Sequence, residues 1–181
     1  MYNRDQVLLL AVSRDISAQV RAEARLHLAA SVFTHAREGI TITDRHNRIV
    51  AINRAFTQIT GYSAAEAVGR TPGMLRSGQH DADFYRAMWE TLEREDRWEG
   101  EIFDRHKSGR IYPKWLTITA VRDGGRSTHY VAVFSDISER KAKEERIRHL
   151  AEHLANSGQA GEEQILRLES DEQLVKVVTI H

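Results

Sequence analysis

The residues of this sequence that could do chemistry are serines, histidines and carboxylates, because the chain of 181 residues has no cysteine. The missing thiol excludes disulfides, thiolate nucleophiles and cysteine-ligated metal sites. Ser63 and Ser77 lie outside any Gly-x-Ser-x-Gly motif, which marks a nucleophilic serine in hydrolases. The histidines show no metal-binding spacing such as His-x-x-Glu-His, and most carboxylates stand beside Lys or Arg, as on a solvated helix face. The sequence therefore predicts a protein that is not an enzyme and has no structural metal site.

The charge balance bears on the choice of partner. Lys plus Arg number 26 and Asp plus Glu number 26, so the formal net charge is zero. A balanced chain has no broad cationic field, which argues against nucleic acid or an anionic membrane as the main partner. The apolar run at 7–12 is far shorter than the roughly 20 residues of a spanning helix. We therefore expect a soluble, cytoplasmic protein with no direct membrane span.

The elements that must position any site are short strands and short helices. Alternation of apolar and polar residues predicts a hairpin, and three later strands separated by glycine-containing turns predict a meander. The predicted strands cover 39–43, 48–52, 98–105, 110–121 and 128–134, and the predicted helices cover 54–60, a short segment from Ser63, and 81–95. Five strands must share one sheet to bury their apolar face. The predicted fold class is α+β: a five-stranded antiparallel sheet with short helices on one face, flanked by N- and C-terminal amphipathic helices.

The short motifs at the turns and at the ends of the predicted elements, in their order along the chain, resemble those of the PAS family. The matching motifs are Glu38-Gly39-Ile40, Ile49-x-x-Ile52-Asn53-x-Ala55-Phe56, Ile59-Thr60-Gly61-Tyr62-Ser63, Glu66-x-x-Gly69-Arg70, Trp98-x-Gly100, Lys107-x-Gly109 and Asp136-Ile137-Ser138. They are most similar to PAS domains of bacterial multidomain regulators of the NifL-like group. The resemblance implies a signal-transduction input module that senses a small ligand, redox state or partner. It also implies an output domain outside this chain, such as a histidine kinase or a diguanylate cyclase or phosphodiesterase.

The same resemblance raises the question of flavin. In photoactive relatives a cysteine bonds to flavin, but Pro72 stands at that place and the chain has no thiol. NifL-like relatives hold FAD and share the Trp98 motif, so an FAD-binding redox sensor is one alternative. Asp104 and Lys114, however, stand where flavin-binding relatives have Asn, whose amide both donates and accepts. The sequence therefore favours a pocket without cofactor, for which the candidate residues are Trp98, Asp104, Lys114 and Asn53.

Haem is the other cofactor that the resemblance brings into question. His80, at the start of a predicted helix, loosely resembles the proximal histidine segment of haem-containing PAS sensors. The alternative is that His80 and Asp81 serve the start of the helix, with Asp81 as N-cap. We favour the second role and expect that His80 is not an iron ligand.

Asp104 and Lys114 are also predicted to meet each other. Antiparallel pairing about the turn at 107–110 sets the two residues opposite each other, on the face that lines the pocket by family resemblance. Two charges are tolerable there only as a pair. We therefore expect an Asp104–Lys114 ion pair, which disfavours flavin and leaves a pocket that is empty or suited to a small polar or charged ligand.

A short motif occurs twice and suggests how the chain is divided. Residues 11–17 match residues 132–138 at five of seven places, and each copy precedes a charged, helix-prone stretch. A period of domain size is typical of tandem arrays. The predicted divisions are 1–17, the tail of an upstream unit or an N-terminal cap; 18–30, a linker helix; 31–138, the sensory domain; 139–155, a signalling or coiled-coil helix; and 156–181, an extension of unknown role.

The flanking helices are predicted to carry the output. Asp136, Ile137 and Ser138 lead from the last strand into the second helix and are the candidates for signal transmission. Apolar stripes predict a homodimer, through Leu26 in the first helix and through Ile147, Leu150 and Leu154 in the second. For the first helix, packing on the domain's own sheet is an equal alternative. The rival function, from another class, is a cofactor-free protein-interaction module that sets oligomeric state.

Overall fold

The computed structural model describes residues 4–156, and the side chains of residues 18–153. The elements, in chain order, are α1 (Arg4–His35), β1 (Gly39–Asp44), β2 (Ile49–Ile52), α2 (Arg54–Thr60), α3 (Ala64–Ala67), a 3₁₀ turn (Pro72–Leu75), α4 (Ala82–Glu95), β3 (Arg97–Arg105), β4 (Ile111–Asp123), β5 (Arg126–Asp136) and α5 (Ser138–Asn156). The first of two compact units ends at Ala142 and contains the whole sheet. The predicted extension at 156–181 lies outside the described residues, except for its first residue.

All five strands form one antiparallel sheet in the order β2-β1-β5-β4-β3. The hairpin of β1 and β2 and the meander of β3, β4 and β5 are both as predicted. Pairing of β1 with β5 joins these two pieces, and it aligns Gly39 with Phe134 and Asp44 with His129. The predicted α+β fold class is confirmed.

The core lies between one face of the sheet and the short helices. From the helices come Phe56, Ala67, Met88 and Leu92, all buried. Phe56 meets Phe134 of β5 edge-to-face, with ring centroids 5.9 Å apart, which is a favourable aromatic geometry. Met88 and Leu92 are four residues apart in α4 and therefore lie on one face of that helix.

Local sequence signals fix the ends of the helices. Asn53 caps α2 through a hydrogen bond from the Phe56 backbone N–H, and Gly61 ends that helix with a positive φ of 79°. Such a φ carries a steric cost for any residue with a Cβ, so glycine suits this position. Ser63 and Glu66 form a capping box at the start of α3.

Both edges of the sheet are occupied in part by other segments of the chain. At β2, the Ile49 backbone N–H donates to the Arg70 carbonyl and the Ile49 carbonyl accepts from the Gly69 N–H, both at 2.8 Å. At β3, the Phe103 carbonyl accepts from the Ser77 hydroxyl at 2.6 Å. The Phe103 N–H donates to His80 Nε2 at 3.0 Å. These contacts satisfy edge groups that a sheet otherwise leaves open.

The N-terminal segment is one helix without a break at the predicted boundary between 17 and 18. The first copy of the repeated motif, at 11–17, lies inside α1, whereas the second copy ends β5 and begins α5. The division of the chain before residue 31 therefore stays a prediction. No helix in the described range combines the length and the apolar composition that crossing a bilayer requires.

Candidate functional site

A cavity of about 100 Å³ lies between the inner face of the sheet and α4, and the 3₁₀ turn closes one side of it. Its apolar lining comes from the sheet and α4, including Met88, Ile102, Leu116 and Phe134. A space of this size holds waters or a small molecule of several non-hydrogen atoms. Few polar groups reach it, so each of them has a large influence on what can bind.

The predicted ion pair lies in this cavity. Lys114 Nζ is 2.5 Å from Asp104 Oδ2, and the two side chains are only 7% and 4% exposed. The predicted register was wrong, however. Asp104 is opposite Tyr112 and Lys114 is opposite Ile102, because the turn closes between His106 and Arg110. Asp104 and Lys114 are diagonal neighbours on the same face, and the length of the lysine side chain spans the offset.

Few groups other than the two partners offset the cost of burying the charges of Asp104 and Lys114. Lys114 Nζ lies 4.4 Å from the centroid of the Phe134 ring, within the range of a cation–π contact. Asp104 Oδ2 has no hydrogen bond of good geometry among the described residues, so the lysine charge is what offsets its burial. Burial, followed by the nearby carboxylates of Asp104 and Asp136, raises the pKa of Tyr112. The local field around Asp104 thus disfavours any further negative charge on that side.

Two hydroxyl groups in the cavity lining have no partner among the described residues. They are Thr43 Oγ1, on β1, and Tyr85 Oη, on α4. Arg76 also lines the cavity, and its guanidinium carbon lies 4.0 Å from the centroid of the Tyr85 ring. Burial raises the pKa of Tyr85, Arg76 lowers it and Asp104 raises it, with a net upward shift. Tyr85 is therefore neutral at ordinary pH and has a hydrogen to donate.

The other two predicted pocket residues lie elsewhere. Asn53 is not in the cavity lining, because its amide is used within the fold. It accepts from the backbone N–H groups of Ile40 and Phe56 and donates to the Glu38 carbonyl, each at 2.9 Å. Trp98 is also outside the lining. It packs edge-to-face on Phe84, with centroids 6.1 Å apart.

The cavity does not fit a flavin. Its volume is well below the roughly 300–1,000 Å³ of pockets that hold drug-sized ligands. The ring edge of a flavin needs groups that donate and accept, whereas Asp104 and Lys114 are already engaged with each other at 2.5 Å. Separating this buried pair, so that its groups could bind the ring edge instead, would cost several kcal/mol.

His80 has a structural role, because its ring joins the start of α4 to strand β3. Its Nε2 lone pair, the one that would ligate haem iron, accepts from the Phe103 N–H, and its ring stacks on Phe84 with centroids 4.1 Å apart. Asp81 caps α4 as predicted, accepting from the Phe84 N–H at 2.8 Å. Within the described part of the chain, no three His, Asp or Glu residues are grouped as metal ligands.

The predicted transmission residues lie where β5 meets α5. Asp136 ends β5, and its Oδ1 accepts from the Ser138 N–H at 2.8 Å. Burial raises the pKa of Asp136, but hydrogen bonds from Ser138 and Arg110 outweigh it and lower the pKa overall. Ile137 is 5% exposed, and its N–H donates to the Pro113 carbonyl at 3.0 Å. The junction is thus held by Pro113 of β4 and by Arg110 in the turn that precedes this strand.

The predicted dimer residues are in part open to solvent. Leu26 is 73% exposed in α1, and Ile147 and Leu150 are 46% and 39% exposed in α5. Leu154 lies in α5, but its side chain is outside the described residues.

Comparisons with known proteins give a consistent result. A family model described as a PAS domain matches residues 37–139. The "Nitrogen fixation regulatory protein" of Klebsiella oxytoca is 34% identical over 114 residues, which are 62% of this chain and 23% of that protein. The "Blue-light-activated histidine kinase" of Brucella canis is 33% identical over 101 residues, 54% of this chain and 21% of that protein. This chain therefore spans about a quarter or less of the length of these relatives.

Solved structures agree with the assignment of the fold. One described as an RNA-binding Light-Oxygen-Voltage receptor has a TM-score of 0.62 and 27% sequence identity. The alignment covers 70% of this chain and 37% of that one.

Proposed function

Because this chain belongs to the PAS domain family, whose members are sensory modules and not catalysts, we propose that it is the input module of a signalling protein. A change in the cavity passes to the junction of β5 and α5, and α5 carries it to an output domain outside this chain. The relatives support that arrangement, since they are regulators and at least one is a histidine kinase.

One observation carries the proposal: the cavity residue Lys114 pairs across the sheet with Asp136, the last residue of β5. A displacement of Lys114 therefore acts on the strand neighbour that caps the start of α5. Phe134, which contacts Lys114 in the cavity, lies two residues before Asp136 on the same strand. The path from cavity to α5 is one cross-strand step, which is short enough to be direct contact and not a remote network.

The energy that this step requires is modest. A ligand shifts a two-state equilibrium by as much as its affinities for the two states differ, and a few kcal/mol suffice. The junction has hydrogen bonds of that total size, from Asp136 to Ser138 and from Ile137 to Pro113. In this proposal the two signalling states differ by the exchange of these bonds for others.

A homodimer is the form in which we expect the module to work. The exposed apolar residues of α1 support this: Val20, Leu28 and Val32 lie on one side at spacings of four and eight, and are 57%, 66% and 63% exposed. A second copy of this chain would remove them from water. The apolar positions Ile147 and Leu150 give α5 a seam of the same kind.

Two other functions remain to be separated from this one by measurement. A flavin redox or light sensor is favoured by the names of the relatives and disfavoured by the cavity, and it predicts a yellow protein absorbing near ~450 nm. A ligand-free interaction module is favoured by the exposed helices, and it predicts that changes in the cavity leave the junction unaffected. The absorption spectrum of the purified chain decides the first question.

Amide hydrogen exchange decides whether the chain is a ligand-free interaction module, because it tests whether changes in the cavity reach the junction of β5 and α5. The double variant Asp104→Leu with Lys114→Met alters the cavity but leaves no unpaired buried charge. We expect faster amide exchange in the segment 136–142 and unchanged exchange in α2. The matched control is Thr117→Val on the outer face of the same strand, which should leave both segments as in the wild type. Equal exchange at 136–142 in wild type and double variant would mean that the cavity does not communicate with α5.

A further inference from the structure

The charges around the cavity do not cancel, and this imbalance identifies the class of ligand. Among the described residues of the lining, the charged ones are Arg76, Asp104 and Lys114. Asp104 is paired with Lys114, so the charge of Arg76 has no counterpart in the lining. Arg76 is an exposed residue, so the cavity carries one uncompensated positive charge on its solvent-exposed side, next to a mostly apolar wall.

Arg76 is held in place. Its backbone bridges to Asp104 on the outer edge of β3, and its guanidinium lies over the Tyr85 ring at 4.0 Å. The next residue, Ser77, binds β3 through its hydroxyl, and its carbonyl accepts from Arg105 at 2.6 Å. A cation whose backbone is fixed on both sides loses less freedom when it binds an anion.

Two buried hydroxyls without a partner in the described part of the chain also line the site. Thr43 is 3% exposed, and its Oγ1 has no partner among the described residues. Tyr85 Oη is likewise buried and without a partner. A buried donor that lacks a partner costs about 1–3 kcal/mol, so a ligand that accepts from it recovers that cost. Carboxylate oxygens accept such bonds well and also neutralise a guanidinium.

From these three observations we infer that the cavity binds a small monocarboxylic acid with a short apolar chain. The carboxylate pairs with Arg76 and accepts from both Thr43 and Tyr85, and the chain contacts Met88 and Leu116. The cavity volume excludes large acids, and the single excess charge disfavours dianions and cations. This inference rests on the proposed function, since it names the ligand of the same sensory cavity.

Three probes of nearly equal shape test the class: butyrate, butyramide and butylammonium, titrated into the whole chain and followed by backbone amide NMR. Butyrate should bind about tenfold more tightly than either of the others, as expected for one charge-assisted contact. Arg76→Gln should reduce its affinity by about the same factor. The matched control Arg86→Gln, in the exposed α4 pair with Asp83, should bind like the wild type.

Thr43→Val provides a second variant if Arg76→Gln proves poorly folded, and it should also weaken butyrate binding. Equal or tighter binding of butyramide would overturn the class while leaving the cavity as a binding site. The class would also be overturned if butyrate bound Arg76→Gln and Thr43→Val as tightly as it binds the wild type. If none of the probes shifts cavity resonances at millimolar concentration, the inference is wrong. The input-module proposal is tested without ligand by the exchange experiment, so the two can fail separately.

Discussion

Breaking the buried ion pair on one side should cost far more stability than exchanging it whole. Lys114→Met leaves the Asp104 carboxylate at 4% side-chain exposure with no opposing charge. Removing one partner of such a pair typically costs about 3–5 kcal/mol, while an apolar replacement of both is often neutral or stabilising. With a urea m-value of about 2 kcal/mol/M, the single variant should lose ~1.5–2.5 M in its unfolding midpoint.

The assay is equilibrium urea unfolding of the wild type, Lys114→Met, Asp104→Leu and the double variant at one pH. The double variant should unfold near the wild-type midpoint, which gives a large coupling energy in the double-mutant cycle. The control is Arg97→Met, whose partner Glu99 is half exposed, and it should lose no more than about 1 kcal/mol. A loss of that small size for Lys114→Met, or additive losses in the double variant, would refute the reasoning.

The remaining predictions concern the dimer, the histidine and a surface carboxyl. Ile147→Asp with Leu150→Asp should convert a dimer to a monomer of 20.7 kDa in light scattering, and an unchanged dimer would place the seam elsewhere. Added hemin should give no Soret band, because His80 Nε2 is engaged with the backbone. A band lost in His80→Ala would contradict this. Lys107 and then Ser63 lower the pKa of Glu66 from 4.5 to about 2. This carboxylate therefore stabilises the fold above pH 4.5, and its contribution should disappear as the pH falls through about 2. In Lys107→Met, this part of the acid-dependent loss in an unfolding titration should be smaller, and a loss equal to that of the wild type would mean that the contact contributes nothing.

The secondary structure followed from the sequence because its signals are local. The caps at Asn53, Ser63 and Asp81 and the left-handed glycine at Gly61 each depend on residues within four positions, so such signals can be found in the sequence alone. The predicted pairing register of β3 and β4 was wrong by two residues. The loop around Gly109, whose φ is 92°, can close in several ways, and the sequence does not say which. The prediction of the ion pair was nevertheless correct, because a register shift of two residues keeps a side chain on the same face of the sheet.

The candidate site could be predicted only in part. The PAS resemblance indicates Asp104 and Lys114 as pocket residues, and their contact could be predicted because they lie on adjacent strands joined by a short turn. Thr43, Arg76 and Tyr85 come from three separate parts of the chain, and no local pattern indicates that they line the same cavity. Ser77 and His80 bind the backbone of Phe103 from more than twenty residues away. That role has no signature beyond the spacing of the two residues, which also suits a loop followed by a helix start.

The occupied edges of the sheet restrict how copies of this chain can associate. An open edge strand recruits strands from other molecules, which is the first step of domain swapping and of fibril growth. Here Ile49 on one edge and Phe103 on the other already bond to segments of their own chain. Continuation of the sheet into a neighbour would have to displace these segments. Where many similar modules are crowded along one polypeptide, the strands of one module do not pair with those of another. The modules then contact each other through helices and sheet faces.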